Sequence, residues 1–511
     1  MSQTTENNKR IAKNTLALYI RTLVTMVVGL YTSRVVLNVL GVDDYGLYNV
    51  VGGVVAMFSI LTATLSQAIS RYFTFELGKE NSNRLHIIFC TGVNIQLLMS
   101  VIVILIAEIG GVWFLNAKMN IPPDRMVAAN WVLQFSILAF VVSLISVPYN
   151  AVIIAHEKMK AFAYVSVLEA ILKLTIAYIL FISPVDKLIT YGFLLLAVSI
   201  VIRYVYGHYC HKHFDECHYE FILDKTLLFE MAKFAGLNAI TCSAFMFNTQ
   251  GINILSNLFF GVAINAARGV ALQVDTVIRG FVANFTTAAK PQIIKYYSSG
   301  DYGNMMKLVY SSTKYSYFLM LIFAIPFIFE ADEILKIWLK TYPSYAPCFV
   351  RWSMFVALIT LLGEMLYVAI LATGKLKKYV ALETAISIFV FPVSYLLFLI
   401  NFPSYIPYLL MGIVYLVLMV VRLVYLRQIL DFSIKCFLNE ACRPVVLTTV
   451  LTLLVCWWIS HVIYGKSVLL ILSACILMAL TVCISIFLVG LAKAERKYVI
   501  DKIRNYARKI Q

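Results

Sequence analysis

FFGVAINAARGVALQVDTVIRGFVANFTTAAKPQIIKYYSSG, from Phe259 to Gly300, is the stretch on which the fold turns. It is apolar enough to span a bilayer, yet it carries Arg268, Asp275 and Arg279. Spacings of seven and four residues at about 100° each place these charges within about 40° of one another, one polar stripe on an otherwise apolar helix. A charge at membrane depth is costly unless it faces protein or a water-filled cavity, so the stripe is expected to line an interior.

The whole chain shares this character. Of 511 residues, 61% are hydrophobic, 14% aromatic and only 13% charged, where a soluble domain has about a quarter charged. Apolar runs matched to a hydrocarbon core about 30 Å thick predict an all-α polytopic membrane protein with about 14 transmembrane helices. Among them are spans over 14–40, 46–76, 228–258, 262–289 and 379–400. A polar start runs straight into the first apolar segment with no small-residue cleavage signal, so that segment is expected to be a retained anchor. The ten cysteines are scattered through helices and expected inward connections, which argues against a disulfide framework.

The net charge of +16 is distributed as a membrane protein requires. With the N-terminus inside, about 27 Lys and Arg fall in inward segments, about 6 in outward ones and about 9 within helices, an excess that obeys the positive-inside rule. An even helix count returns the C-terminus to the same, cytoplasmic side. The basic tail from Lys493 to Lys509 then reads as solvated or facing lipid headgroups, with no nucleic-acid partner.

The chain repeats itself. AHEKMKAF from Ala155 is answered by ATGKLKKY from Ala372 at an offset of 217, and Leu40, Gly41 and Val42 by Phe260, Gly261 and Val262 at 220. Two matches at nearly one offset indicate a duplicated unit of six helices, and because six is even the copies share one orientation and a pseudo-two-fold along the membrane normal. The expected organisation is an N-terminal lobe over 1–210, a cytoplasmic linker over 211–227, a C-terminal lobe over 228–427, and two further helices with the basic tail over 428–511. Such folds place the substrate path between lobes that rock against each other. Cys210, His211, His213, Cys217 and His218 crowd the linker but show no CxxC or HxxxH spacing, so no metal is expected there.

NTLALYIRTLVTMVVGLYTSRVVLNVLGVDDYGLYNVVGG near the start, NTQGINILSNLFFGVAINAARGVALQV from Asn248 and KPQIIKYYSSGD from Lys290 together resemble the Wzx-type polysaccharide (O-antigen or capsule) flippases of the multidrug and polysaccharide exporter (MOP, MATE-like) superfamily. The resemblance covers nearly the whole chain. It implies a non-enzymatic two-lobe flippase of the bacterial cytoplasmic (inner) membrane. Such a protein turns an undecaprenyl-pyrophosphate-linked oligosaccharide from the inner to the outer leaflet for lipopolysaccharide or capsule assembly, with membrane lipids and other glycan-assembly proteins as partners.

A pyrophosphate needs positive charge at mid-membrane, and Arg suits it by staying charged and presenting a planar fork of donors. Arg34, Arg268 and Arg279 are the candidate cargo-binding residues, with Arg21 and Arg71 nearer the inner end. Asp275 is expected to pair with Arg279 one turn away, with proton or cation carriage as its sharper alternative. Glu364, without a close partner in sequence, is the better unpaired candidate for coupling to a H+ or Na+ gradient. No cofactor is expected. Glu169 and Lys173 read as a structural pair.

Two other functions compete. A drug or small-molecule exporter of the same superfamily would favour carboxylates over arginines in its cavity if its substrate were cationic. A polytopic glycosyltransferase or polymerase would use acidic residues such as Asp43 and Asp44 in the first outward turn, Leu40 to Val50, but the outward loops are short and no nucleophile–base pair or nucleotide-binding motif stands out.

Overall fold

The computed structural model describes residues 3–59, 62, 65–66, 69, 72–73, 76–77, 82–156, 158–222, 224–231, 246–375, 377–462, 467–497 and 500–501. Side chains are described from residue 21 on, apart from 82, 159, 284, 287–288, 291, 295, 298 and 377. These residues form helices and connections with no strand. The protein is an all-α polytopic membrane protein, and among the described residues ten helical segments are long and apolar enough to cross a bilayer. The expected spans over 46–76 and 228–258 fall partly outside the described residues.

The helices are α1 Gln3–Ala56, α2 Ser82–Ile106, α3 Val112–Ala117, α4 Met126–Ala155, α5 Met159–Ile182, α6 Lys187–His213, α7 Ile252–Phe260 and α8 Val262–Ser298. They continue with α9 Tyr302–Leu339, α10 Ala346–Thr373, α11 Lys377–Ile388, α12 Val390–Leu399, α13 Ile406–Leu430, α14 Ile434–Phe437, α15 Arg443–Val462 and α16 Val468–Ser485. Contacts divide the chain into two compact units. The first takes Met1–Gly269, Thr341–Pro343 and Ser387–Ser404; the second takes Val270–Lys340, Ser344–Ile386 and Tyr405–Gln511.

In the first unit α1 packs on α5, α4 on α6 and α2 on α4. The turn expected over Leu40 to Val50 is much tighter than that: the helix breaks only at Gly41 (φ 81°, ψ 176°) and resumes at once. Gly261, its counterpart in the repeat, separates α7 from α8 with φ 79° and ψ −175°. This region of backbone space is open essentially to glycine alone, so at both positions a single residue makes the same turn. Close approach follows: a Cβ at Gly46 would overlap the backbone carbonyl of Val262, and one at Gly53 would meet Asn253 Nδ2 at 2.9 Å. The small residues here serve packing.

A run of asparagines then ties α7 in place. Asn253 Nδ2 donates to Asn49 O at 3.1 Å, Asn265 Nδ2 donates to Asn253 O at 2.7 Å, and Asn257 exchanges bonds with the backbone of Asn120. Buried amides need such partners.

The second unit packs α9 on α10, α10 on α13, and α9 on α16. Met365, Leu366, Ile370, Tyr379, Leu426 and Phe437 are wholly buried in its core.

Candidate functional site

On α8 the three predicted charges lie beside the buried face made by Ala267, Val270, Ala271, Val274 and Ile278. At about 100° per residue their directions fall on its flank, and all three are half-buried. The expected Asp275–Arg279 pair is present: Arg279 Nε donates to both carboxylate oxygens of Asp275 at 2.9 and 2.8 Å. Holding the guanidinium through Nε alone leaves its two terminal nitrogens without a hydrogen-bond partner among the described residues. Arg268 lies about two turns before Asp275 on the same helix.

Glu364 differs from its expectation of standing unpaired. Lys290, far off in sequence at the other end of α8, reaches it at 3.3 Å. Glu364 is thus ion-paired through tertiary packing that its sequence neighbours do not reveal. Arg71 lies outside the described residues. Arg21 projects from α1 over the Phe162 ring, 4.9 Å from its centroid, with Nε buried and unbonded among the described residues. Arg34 shares its helix face with Tyr31, bonded to Tyr178 at 2.9 Å, and Asn38, bonded to Thr341 at 3.3 Å. Arg34 itself has no ion-pair or hydrogen-bond partner among the described residues.

A strong interaction missed in the sequence lies in the second unit. Arg422 on α13 is 8% exposed, donates from Nε to Tyr379 Oη at 2.6 Å and from Nη2 to Glu383 at 2.6 Å. Its guanidinium carbon lies 5.5 Å from the Tyr367 ring centroid. A signal for it did exist, in the pair RYVY from Arg203 and RLVY from Arg422, offset by 219. In this unit Lys314 and Arg351 also have carboxylates, Glu495 at 2.8 Å and Asp332 at 2.6 Å. These three cations are satisfied within the second unit, whereas Arg21 and Arg34 of the first have no ion-pair carboxylate among the described residues.

Asp44, weighed above as a catalytic acid, is committed to Arg125, which also grips Asp186 at 2.6 Å. Asp186 accepts from the backbone N–H groups of Leu188 and Ile189 as the N-cap of α6. Burial raises the Asp186 carboxyl, but the Arg125 guanidinium and these N–H groups outweigh it and hold the group below its ordinary value. The linker's polar residues also have structural work. His156 bonds Glu216 at 2.6 Å, Tyr219 Oη donates to Asn94 Oδ1 at 2.8 Å, and Asn94 Nδ2 donates to Ile222 O at 2.8 Å, strapping the linker to α2 and the end of α4. The nine described cysteines are free. Lys173 and Glu169 form the expected pair at 2.6 Å.

No protein-family model matches the chain. The uncharacterized membrane protein EpsK of Bacillus subtilis is 18% identical over 331 residues, 64% of this chain and 65% of that relative, so the chain spans just under two thirds of its length. Several solved structures are similar, three of which follow. The lipid II flippase MurJ in an inward closed conformation aligns with a TM-score of 0.66 and 15% identity over 91% of this chain and 97% of its own. An inward-facing multidrug resistance MATE family transporter of the MOP superfamily gives 0.64 and 12% over 80% and 98%. A MOP superfamily transporter from Pyrococcus furiosus gives 0.60 and 12% over 83% and 96%. The chain has the fold that these transporters share.

Proposed function

We propose that the protein is a flippase that carries an undecaprenyl-pyrophosphate-linked oligosaccharide across the bacterial cytoplasmic membrane by alternating access, for lipopolysaccharide or capsule assembly. One observation carries this reading: Arg21 and Arg34 stand on a membrane helix with no described carboxylate to neutralise them. Arginines held at depth without a counter-ion are costly unless an anion visits them. A pyrophosphate would fit, with its prenyl tail left in lipid and its glycan in water. Arg279 would add the donors of its two terminal nitrogens, since Asp275 holds it by Nε only. The likeness to a lipid II flippase supports a lipid-linked cargo of this class, and Arg268 and Arg71 complete the proposed set.

Rocking of an N-terminal lobe, 1–210, against a C-terminal lobe, 228–427, would expose the path to each side in turn, with both termini cytoplasmic. Coupling to a H+ or Na+ gradient would use Asp275 in preference to Glu364, whose charge Lys290 offsets. The test is leaflet translocation of a defined lipid-linked oligosaccharide in proteoliposomes. Transport by the wild type, lost on charge reversal at Arg34 or Arg279 with insertion intact, supports the reading; transport of small organic cations with no movement of the lipid-linked sugar overturns it in favour of an exporter.

A further inference from the structure

The repeat pairs more than its glycines. Arg203 on α6 answers Arg422 on α13 at an offset of 219, and Tyr149 on α4 answers Tyr367 on α10 at 218. Each arginine lies on the tyrosine of its own copy: Arg203 is 3.9 Å from the Tyr149 centroid and Arg422 is 5.5 Å from that of Tyr367. The duplicated unit therefore preserved one arginine-on-tyrosine seat twice.

The seats differ in what completes them. Arg422 is closed off by Tyr379 Oη and Glu383. At the offset of 217 that holds in this region, these residues are answered by Phe162 and Ser166. Phe162 has no hydroxyl, and the Ser166 hydroxyl is spent on Phe162 O at 2.9 Å. Arg203 consequently has no hydrogen bond or ion pair among the described residues, while Gly207 leaves room for it: a Cβ there would lie 2.6 Å from Arg203 Nη1. A guanidinium resting on a ring face keeps its in-plane N–H edge available, the edge that grips carboxylate or phosphate in a fork.

We propose that Arg203, seated on Tyr149, binds the phosphate-class oxyanion of a membrane-borne headgroup in the place that Glu383 occupies in the second copy. This deepens the flippase reading and rests on it for the identity of the cargo: the oxyanion is the pyrophosphate of a prenyl-linked substrate or the phosphate of an anionic phospholipid. The shared chemistry is a tetrahedral anion held by a two-pronged donor.

The test uses the full-length protein in nanodiscs of neutral lipid, with farnesyl pyrophosphate, inorganic pyrophosphate and phosphatidylglycerol as separate probes. Two variants remove the seat in opposite ways. Arg203→Gln deletes the cation, and the double variant Phe162→Tyr/Ser166→Glu supplies the internal partners of the second copy, so it disables binding while adding contacts. Both are expected to weaken binding about tenfold or more, the worth of a lost charge-assisted hydrogen bond, and Lys173→Gln is expected to leave it unchanged. Loss confined to the two pyrophosphate probes assigns the seat to cargo, and loss confined to phosphatidylglycerol assigns it to bulk lipid. Wild-type affinity of both variants for all three probes overturns the proposal. Translocation measured in parallel separates the two levels: unchanged binding with intact flipping removes this seat and leaves the flippase reading standing.

Discussion

Replacing Glu383 by Ala strands the Arg422 guanidinium, and the structure sets the size of the effect. Removing one partner of a buried ion pair costs about 3–5 kcal/mol because the other charge stays desolvated. Arg422 is 8% exposed but Glu383 is 26% exposed, and Tyr379 Oη still accepts from Nε. These two facts lower the expectation to about 2–3 kcal/mol, roughly a 30- to 150-fold shift in an equilibrium constant. Timed heating in detergent, followed by measurement of the monodisperse fraction, reads the change as a shortened half-life, which suits a protein that unfolds irreversibly. If the stranded charge is the cause, Glu383→Ala/Arg422→Met should recover most of the loss, since an apolar side chain of similar length fills the space without a charge. A double variant no more stable than Glu383→Ala alone would refute the reasoning.

Gly41→Ala should cost about 1–3 kcal/mol from backbone strain alone, since nothing lies within 4 Å of the added methyl. Gly46→Ala should cost more because its methyl meets the Val262 backbone, and the same heating assay ranks the two. Asp275→Asn should keep translocation with unchanged dependence on ion gradients if Asp275 only positions Arg279; loss of gradient dependence assigns it the carrier role instead. Burial raises the Glu216 carboxyl, but the bond from His156 overrides this and holds it below the ordinary 4.5. Its stabilising contribution is fully present above that value and is lost as pH falls through the lower folded value. Stability scanned from about pH 6 to about pH 3.5 should therefore fall more steeply for the wild type than for Glu216→Gln.

Much of the fold was legible because a bilayer imposes a length on every apolar run, and the Asp275–Arg279 pair because four residues make one helical turn. Contacts across sequence were not. Lys290 and Glu364 meet through the packing of two helices, which no spacing along one chain reveals. The turn over Leu40 to Val50 was visible as a break in hydropathy, but its contraction to one residue depends on the φ of Gly41, which composition does not encode. Arg422 lay hidden in an apolar span whose counter-charge sits on a different helix, although the shared RxVY pattern marked it. The asparagines from Asn253 to Asn265 lie in a run that carries the family resemblance, and their role in holding α7 to its neighbours shows only in the structure.

The one-residue turns have a practical consequence for mapping topology. An epitope, protease site or reporter spliced in at Gly41 or Gly261 would have to open a turn that contains no spare chain, and the distortion would pass directly to the backbone-to-backbone contact at Gly46 and Val262. Tolerance should be greater at 183–185, ahead of the Asp186 cap, and at 400–404, where Pro184 and Pro403 mark connections outside helices. Insertions there can report sidedness without dismantling the membrane assembly they are meant to orient.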